Sequence, residues 1–172
     1  MKTNNDDHLQ FSDREYRLSN EIHTSNEITK PTQSKILVVD DEDIIHRTLK
    51  RVLGNEEYII DSAYSGKEGL KKIKAGFDYD LLICDICMPD MGGVEVLNEI
   101  RKAGIDIEVL MFTGYSTLDA IDKAKNYGAY DCLTKSFTDI SVLKNKIKEA
   151  LLKSKTKRSN KNENEAEKNK PQ

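Results

Sequence analysis

No apolar run in this sequence exceeds four residues; Ile36–Val39, Leu81–Cys84 and Val109–Phe112 are the longest. That argues against a membrane-spanning helix and a secretory signal, so the expected address is the cytoplasm, with no membrane partner. Cysteine is scarce, and an odd number of three cannot all pair within one chain, which speaks against a disulfide scaffold. Cys84-Asp-Ile-Cys87 has the spacing of a redox or zinc pair. Zinc needs four ligands and no second pair exists. A redox pair usually sits at a helix amino end, whereas Cys84 falls in a strand-like run, so a buried strand cysteine is the better reading. The three histidines, His8, His23 and His46, are not clustered in sequence and are expected to be solvated. Apolar residues make up only 37% of the 172, which implies that part of the chain is not packed.

Composition divides the chain in three. Residues 1–34 are polar, with four basic and six acidic side chains, and are expected to form a disordered extension because they cannot bury enough surface to offset their ordering entropy. Residues 35–152 hold nearly all the apolar residues and form the expected single domain. Residues 153–172 carry seven basic and three acidic side chains, with Ala166 alone apolar, and are expected to be a basic, disordered tail. On that reading, deleting residues 157–172 leaves stability unchanged. The stretch from Lys153 to Lys161 could contact nucleic acid or an anionic surface, but it lacks aromatics and a folded reader, so a solvated helix end is preferred.

The middle part alternates regularly. Lys35–Val39 is a short continuous apolar run, the signature of a strand buried on both faces. From Asp40 to Gly54 the spacing becomes helical, with Ile45, Leu49, Val52 and Leu53 on one side. Tyr58–Ala63 is a second strand. Ser65 and Glu68 form a capping box for a helix ending at Gly76. Asp80–Cys84 is a third strand, followed by a Met-Pro-Asp-Met-Gly-Gly loop and a helix with Val94, Leu97 and Ile100 inward. Ile107–Phe112 is a fourth strand, Thr117–Tyr127 a helix, Tyr130–Thr134 a fifth strand. Asp139 to about Lys153 is a last helix with Ile140, Leu143, Ile147 and Leu151 inward. Five strands alternating with five helices predict a doubly wound α/β fold with one parallel sheet, in the flavodoxin-like order 2-1-3-4-5.

In such sheets function gathers at the carboxyl ends of the strands. Just past the first run come Asp40, Asp41, Glu42 and Asp43; past the third, Asp85; past the fourth, Thr113; past the fifth, Lys135. The first and third strands are neighbours in the expected order, so Asp40, Asp41 and Asp85 converge. Any one of these residues alone is better explained as a cap, a turn residue or a surface charge. Together, clustered carboxylates call for a hard cation such as Mg2+. With a lysine and a hydroxyl nearby, the site suits a phosphoryl group, and a carboxylate is a competent nucleophile toward phosphorus.

The segments Ile36-Leu-Val-Val-Asp-Asp41, Leu82-Ile-Cys-Asp-Ile-Cys-Met-Pro-Asp-Met-Gly-Gly93, Phe112-Thr-Gly114 and Gly128-Ala129 leading to Lys135-Ser-Phe137 resemble, in order and spacing, the receiver domain of two-component response regulators. The resemblance covers Lys35 to about Leu152. It implies that Asp85 is the phosphoacceptor, phosphorylated by a histidine kinase, a phosphotransfer protein or a small phosphodonor. It implies that Asp40, Asp41, Asp85 and the backbone carbonyl of Cys87 hold Mg2+. Thr113 would be the switch hydroxyl and Lys135 the phosphoryl contact. It further implies signalling through a remodelled face of helix four, strand five and helix five. No output domain accompanies the segment, so an effector in trans is expected, without direct DNA binding. The chain would then be no enzyme beyond its own phosphorylation and dephosphorylation.

Two positions depart from the family pattern. The aromatic switch position is Cys132, which puts the usual relay in question. The residue after the lysine, normally proline, is Ser136. Without proline the Lys135–Ser136 bond is expected to be trans, with Lys135 held less firmly. These departures motivate an alternative, a receiver-like interaction module no longer switched by phosphorylation. A phosphatase of the haloacid dehalogenase type is disfavoured because its second acid would fall on Cys87.

Overall fold

The computed structural model describes residues 33–54, 57–114, 117–136 and 139–168. The expected disordered extension therefore lies outside the described residues, apart from Gln33 and Ser34. Ser34 opens the first strand and is buried.

The elements are β1 Ser34–Val39, α1 Asp43–Leu53, β2 Tyr58–Ala63, α2 Gly66–Lys74, β3 Leu81–Cys84, α3 Gly93–Lys102, β4 Glu108–Thr113, α4 Leu118–Asn126, β5 Asp131–Thr134 and α5 Ile140–Lys168. All strands are parallel, in the order β2-β1-β3-β4-β5, as the alternation predicts. The central runs are apolar on both faces because helices cover both sides of the sheet. On one face Ile36, Val38, Leu81, Ile83, Leu110 and Phe112 pack beneath α1 and α5. On the other, Leu37, Val39, Leu82, Val109 and Met111 meet α2, α3 and α4.

Local chemistry explains the helix starts. Ser65 caps α2 by accepting a hydrogen bond from the Glu68 amide at 3.2 Å. The Glu68 carboxylate reaches back to the Tyr64 amide at 2.8 Å, one residue beyond the Ser65 amide that a strict capping box would use. Thr117 caps α4 through the Ala120 amide. Strand four includes Thr113 as its last residue, where the sequence pattern ended it at Phe112.

The last helix corrects the sequence reading. It does not stop near Lys153 but runs to Lys168. Leu143, Ile147, Ala150 and Leu151 anchor its first half in the core, while Ile140, expected inward, is exposed. Beyond Leu151 the anchors are ionic. Lys153 and Lys157 reach Glu108 at 3.2 and 2.7 Å, and Lys157 also reaches Asp106 at 2.8 Å. Arg158 spans Asp78 and Asp80, both at 2.8 Å, and donates to the Tyr79 carbonyl. Glu108 is almost completely buried, so its charge needs these partners. Residues 153–158 are thus a basic strap across the amino edge of the sheet rather than a solvated tail.

Candidate functional site

The register of the sheet builds the site. Val39 pairs with Cys84, so the next residues, Asp40 and Asp85, leave the sheet side by side. The ladder continues one step further, with the Asp85 amide donating to the Val39 carbonyl at 2.9 Å and the Asp40 amide to the Ala63 carbonyl at 3.1 Å. Both aspartates are buried, and Asp41 beside them is exposed. Asp40, Asp41 and Asp85 each place a carboxylate oxygen within 4.8 Å of the others. Oxygens alone, negatively charged and converging, form a donor set that fits a hard divalent cation.

Lys135 enters from the end of β5, where its amide donates to the Thr113 carbonyl at 2.8 Å. Its ammonium lies 2.9 Å from Asp40, 2.9 Å from Asp85 and 2.8 Å from Glu42. Burial opposes the charge of this lysine, but the three carboxylates more than offset it and hold its pKa above the ordinary lysine value. Burial acts the other way on Asp40 and raises its pKa, against the hydrogen bonds from Lys135 and the Glu42 amide. One ammonium therefore leaves the carboxylate cluster incompletely neutralised. Among the described residues no peptide is cis, so Lys135–Ser136 is trans. Three carboxylates hold the lysine ammonium across this trans bond.

The loop after Asp85 is fastened at several points. The Cys87 amide donates to the Asp85 carboxylate at 3.3 Å. Asp90 caps the amino end of α2, accepting from the Gly66 and Lys67 amides at 3.1 Å each. Gly93 opens α3 so close to Asp85 that a Cβ there would collide with the Asp85 carbonyl oxygen. Cys84 is buried in β3, and burial pushes its thiol pKa up, which suits an inert core cysteine rather than a redox centre. Cys132 is half-buried and packs against the core beneath α3 and α4. Thr113 is buried at the end of β4.

Sequence reasoning placed Asp40, Asp41, Asp85, Thr113 and Lys135 at one sheet edge, and the structure brings them together there. It assigned no role to Glu42, Asp90 or Gly93. His46, expected to be solvated, is buried, and its Nε2 lies 2.8 Å from the Asp40 carbonyl oxygen. The missed signal was spacing: His46 stands three and seven residues before Leu49 and Leu53, on the inward side of α1.

The family model described as the response regulator receiver domain matches residues 36–148. Among curated proteins, the transcriptional regulatory protein DltR of Streptococcus agalactiae is 36% identical over 104 residues, covering 60% of this chain and 46% of that protein. The transcriptional regulatory protein ZraR of Klebsiella oxytoca is 40% identical over 120 residues, covering 69% of this chain and 26% of that protein. The chain thus spans about half the length of such relatives, or less. Among solved structures, a CheY-like receiver domain protein from Methanospirillum hungatei aligns with a TM-score of 0.68 at 32% identity, over 73% of this chain and 99% of that one. The response regulator TrrA of Thermotoga maritima, in complex with Mg2+ and BeF, aligns with a TM-score of 0.61 at 42% identity, over 69% and 99%. Among the described residues no helix is long and apolar enough to cross a membrane. With its parallel sheet and its converging aspartates, the chain belongs to the response regulator receiver domain family.

Proposed function

We propose that this receiver domain accepts a phosphoryl group on Asp85 in a Mg2+-dependent reaction. The observation that carries the proposal is the Asp85 carboxylate, set beside Asp40 and Asp41 and held by the Lys135 ammonium at 2.9 Å, with Thr113 closing the adjacent strand. A carboxylate oxygen of Asp85 attacks the phosphorus of a phosphohistidine on a kinase or phosphotransfer protein. The phosphorus–nitrogen bond breaks, its electron pair returns to the imidazole, and an acyl phosphate forms. Water later cleaves that acyl phosphate and restores the carboxylate. Lys135, already an ion-pair partner of Asp85, neutralises the arriving phosphoryl oxygens, and the Thr113 hydroxyl donates to them. Asp40, Asp41, Asp85 and the Cys87 carbonyl would hold Mg2+, which when bound neutralises the carboxylates and the transferred oxygens together.

The domain turns over no external substrate beyond its phosphodonor, and its output passes to a partner protein in trans. The exposed apolar side chains Leu118 on α4 and Ile140 and Val142 on α5 support an outlet on the face of α4, β5 and α5. Cys132 favours one competing reading, a module that binds partners without switching, because a small half-buried thiol lacks the bulk of an aromatic switch. Intact mass after incubation with acetyl phosphate separates the two. The wild type gains one phosphoryl group in Mg2+ and none in chelator, and Asp85→Asn gains none. Labelling of the variant at the wild-type rate would rule out Asp85.

A further inference from the structure

The Asp40 carbonyl oxygen sits at a junction. The strand ladder ends with the Asp40 amide on Ala63, and the α1 ladder starts with the Ile45 amide on the Glu42 carbonyl. Between them the Asp40 carbonyl receives its hydrogen bond from His46, with Nε2 at 2.8 Å. A carbonyl oxygen only accepts, so Nε2 carries the proton. The other ring nitrogen, Nδ1, is shielded from solvent and has no hydrogen-bond partner. The ring is therefore held from one side, by the hydrogen bond that Nε2 donates to the Asp40 carbonyl. It is fixed further by the Tyr64 ring, whose centroid lies 4.3 Å away.

The consequence lies one bond further on. The Asp40 carbonyl belongs to the Asp40–Asp41 peptide, and the plane of that peptide sets the direction of the Asp41 side chain. The Asp40 carboxylate has its own restraints, from the Glu42 amide at 3.0 Å and from Lys135. Asp41 is the exposed member of the cluster, and the backbone aims it. We infer that His46 is a positioning residue for the cation site: through the Asp40 carbonyl it locks the Asp40–Asp41 peptide so that Asp41 faces Asp40 and Asp85. A buried histidine would otherwise be an expensive way to fill this corner of the core, since an unpartnered ring nitrogen costs free energy that an apolar side chain avoids.

This inference rests on the reading of the aspartate cluster as a divalent-cation site, and the experiment separates the two. Mg2+ affinity is measured by calorimetry on the full chain at one neutral pH, for wild type, His46→Leu and His46→Gln, alongside thermal melting in chelator. Gln keeps a side-chain N–H donor near the same place and Leu does not. His46→Leu should bind Mg2+ about tenfold more weakly and His46→Gln should recover most of the loss, while melting in chelator does not follow that order. If His46→Leu does not fold, His46→Met carries the same comparison. Wild-type affinity in the folded Leu or Met variant would overturn the positioning role and leave the cluster reading intact. A wild type that takes up no Mg2+ would overturn both.

Discussion

The two ends of the sheet both gather acids, and they answer the same electrostatic problem differently. At the carboxyl edge Asp40, Asp41, Glu42 and Asp85 have Lys135 among them. At the amino edge Asp78, Asp80, Asp106 and Glu108 meet Lys153, Lys157 and Arg158. The amino edge is close to balanced by the chain itself. The carboxyl edge is left short of positive charge, although two of its aspartates are buried. A cluster matched by its own cations serves as a fastening. A cluster left in deficit is where a cation from outside is stabilising.

The largest effect that sharpens this contrast is on phosphorylation. Asp85→Asn should abolish acyl-phosphate formation from acetyl phosphate, read by intact mass, whereas Lys157→Ala should leave it close to wild type. An inactive Lys157→Ala that is fully folded would couple the two edges and break the contrast.

Stability should show the reverse ranking. Removing both ammoniums from Glu108, as Lys153→Ala with Lys157→Ala, should cost about 1–3 kcal/mol in urea unfolding. That is less than for a fully buried pair, because both lysines remain partly solvated. Deleting residues 157–172 should likewise destabilise the domain, although composition alone implies no effect. Unchanged unfolding in both would reduce the strap to a surface decoration.

The pH dependence in chelator should differ in sign. The pKa of Asp40 is raised above 3.8, burial outweighing its hydrogen bonds. Its contribution to stability is therefore full below 3.8 and is lost as pH rises through the raised value. The pKa of Asp106 is lowered below 3.8, chiefly by its hydrogen bond from Lys157. Its contribution is present above 3.8 and is lost as pH falls through the depressed value. Urea unfolding across this range should therefore lose the first slope in Asp40→Asn and the second in Asp106→Asn. The smallest expected effect is salt: raising ionic strength should slightly weaken the exposed Arg158–Asp78 pair and scarcely touch Lys135, whose side chain is only 7% exposed.

What the sequence disclosed follows the same division. Periodicity revealed the strands and helices because apolar runs and 3.6-residue spacing are local signals. Asp40, Asp41, Asp85, Thr113 and Lys135 were legible because a parallel sheet carries the residue after each strand to one edge. The strap was not. Arg158 meets Asp80 across 78 positions and Lys157 meets Asp106 across 51, and no local pattern announces an ion pair at that separation. Composition saw only a polar segment with nothing to bury, since the partners it neutralises lie in other elements. His46 escaped for a related reason: its spacing placed it inward, but the carbonyl that accepts its hydrogen bond belongs to the turn before the helix.

The most direct test of the contrast is where a divalent cation goes. Mn2+ can stand in for Mg2+, and its paramagnetic broadening of backbone amide signals reports distance from the ion. Substoichiometric Mn2+ should broaden the amides of Asp40, Asp41, Asp85 and Cys87 and spare Asp78, Asp80, Asp106 and Glu108. Broadening centred on the amino edge, or spread evenly over both, would contradict the account.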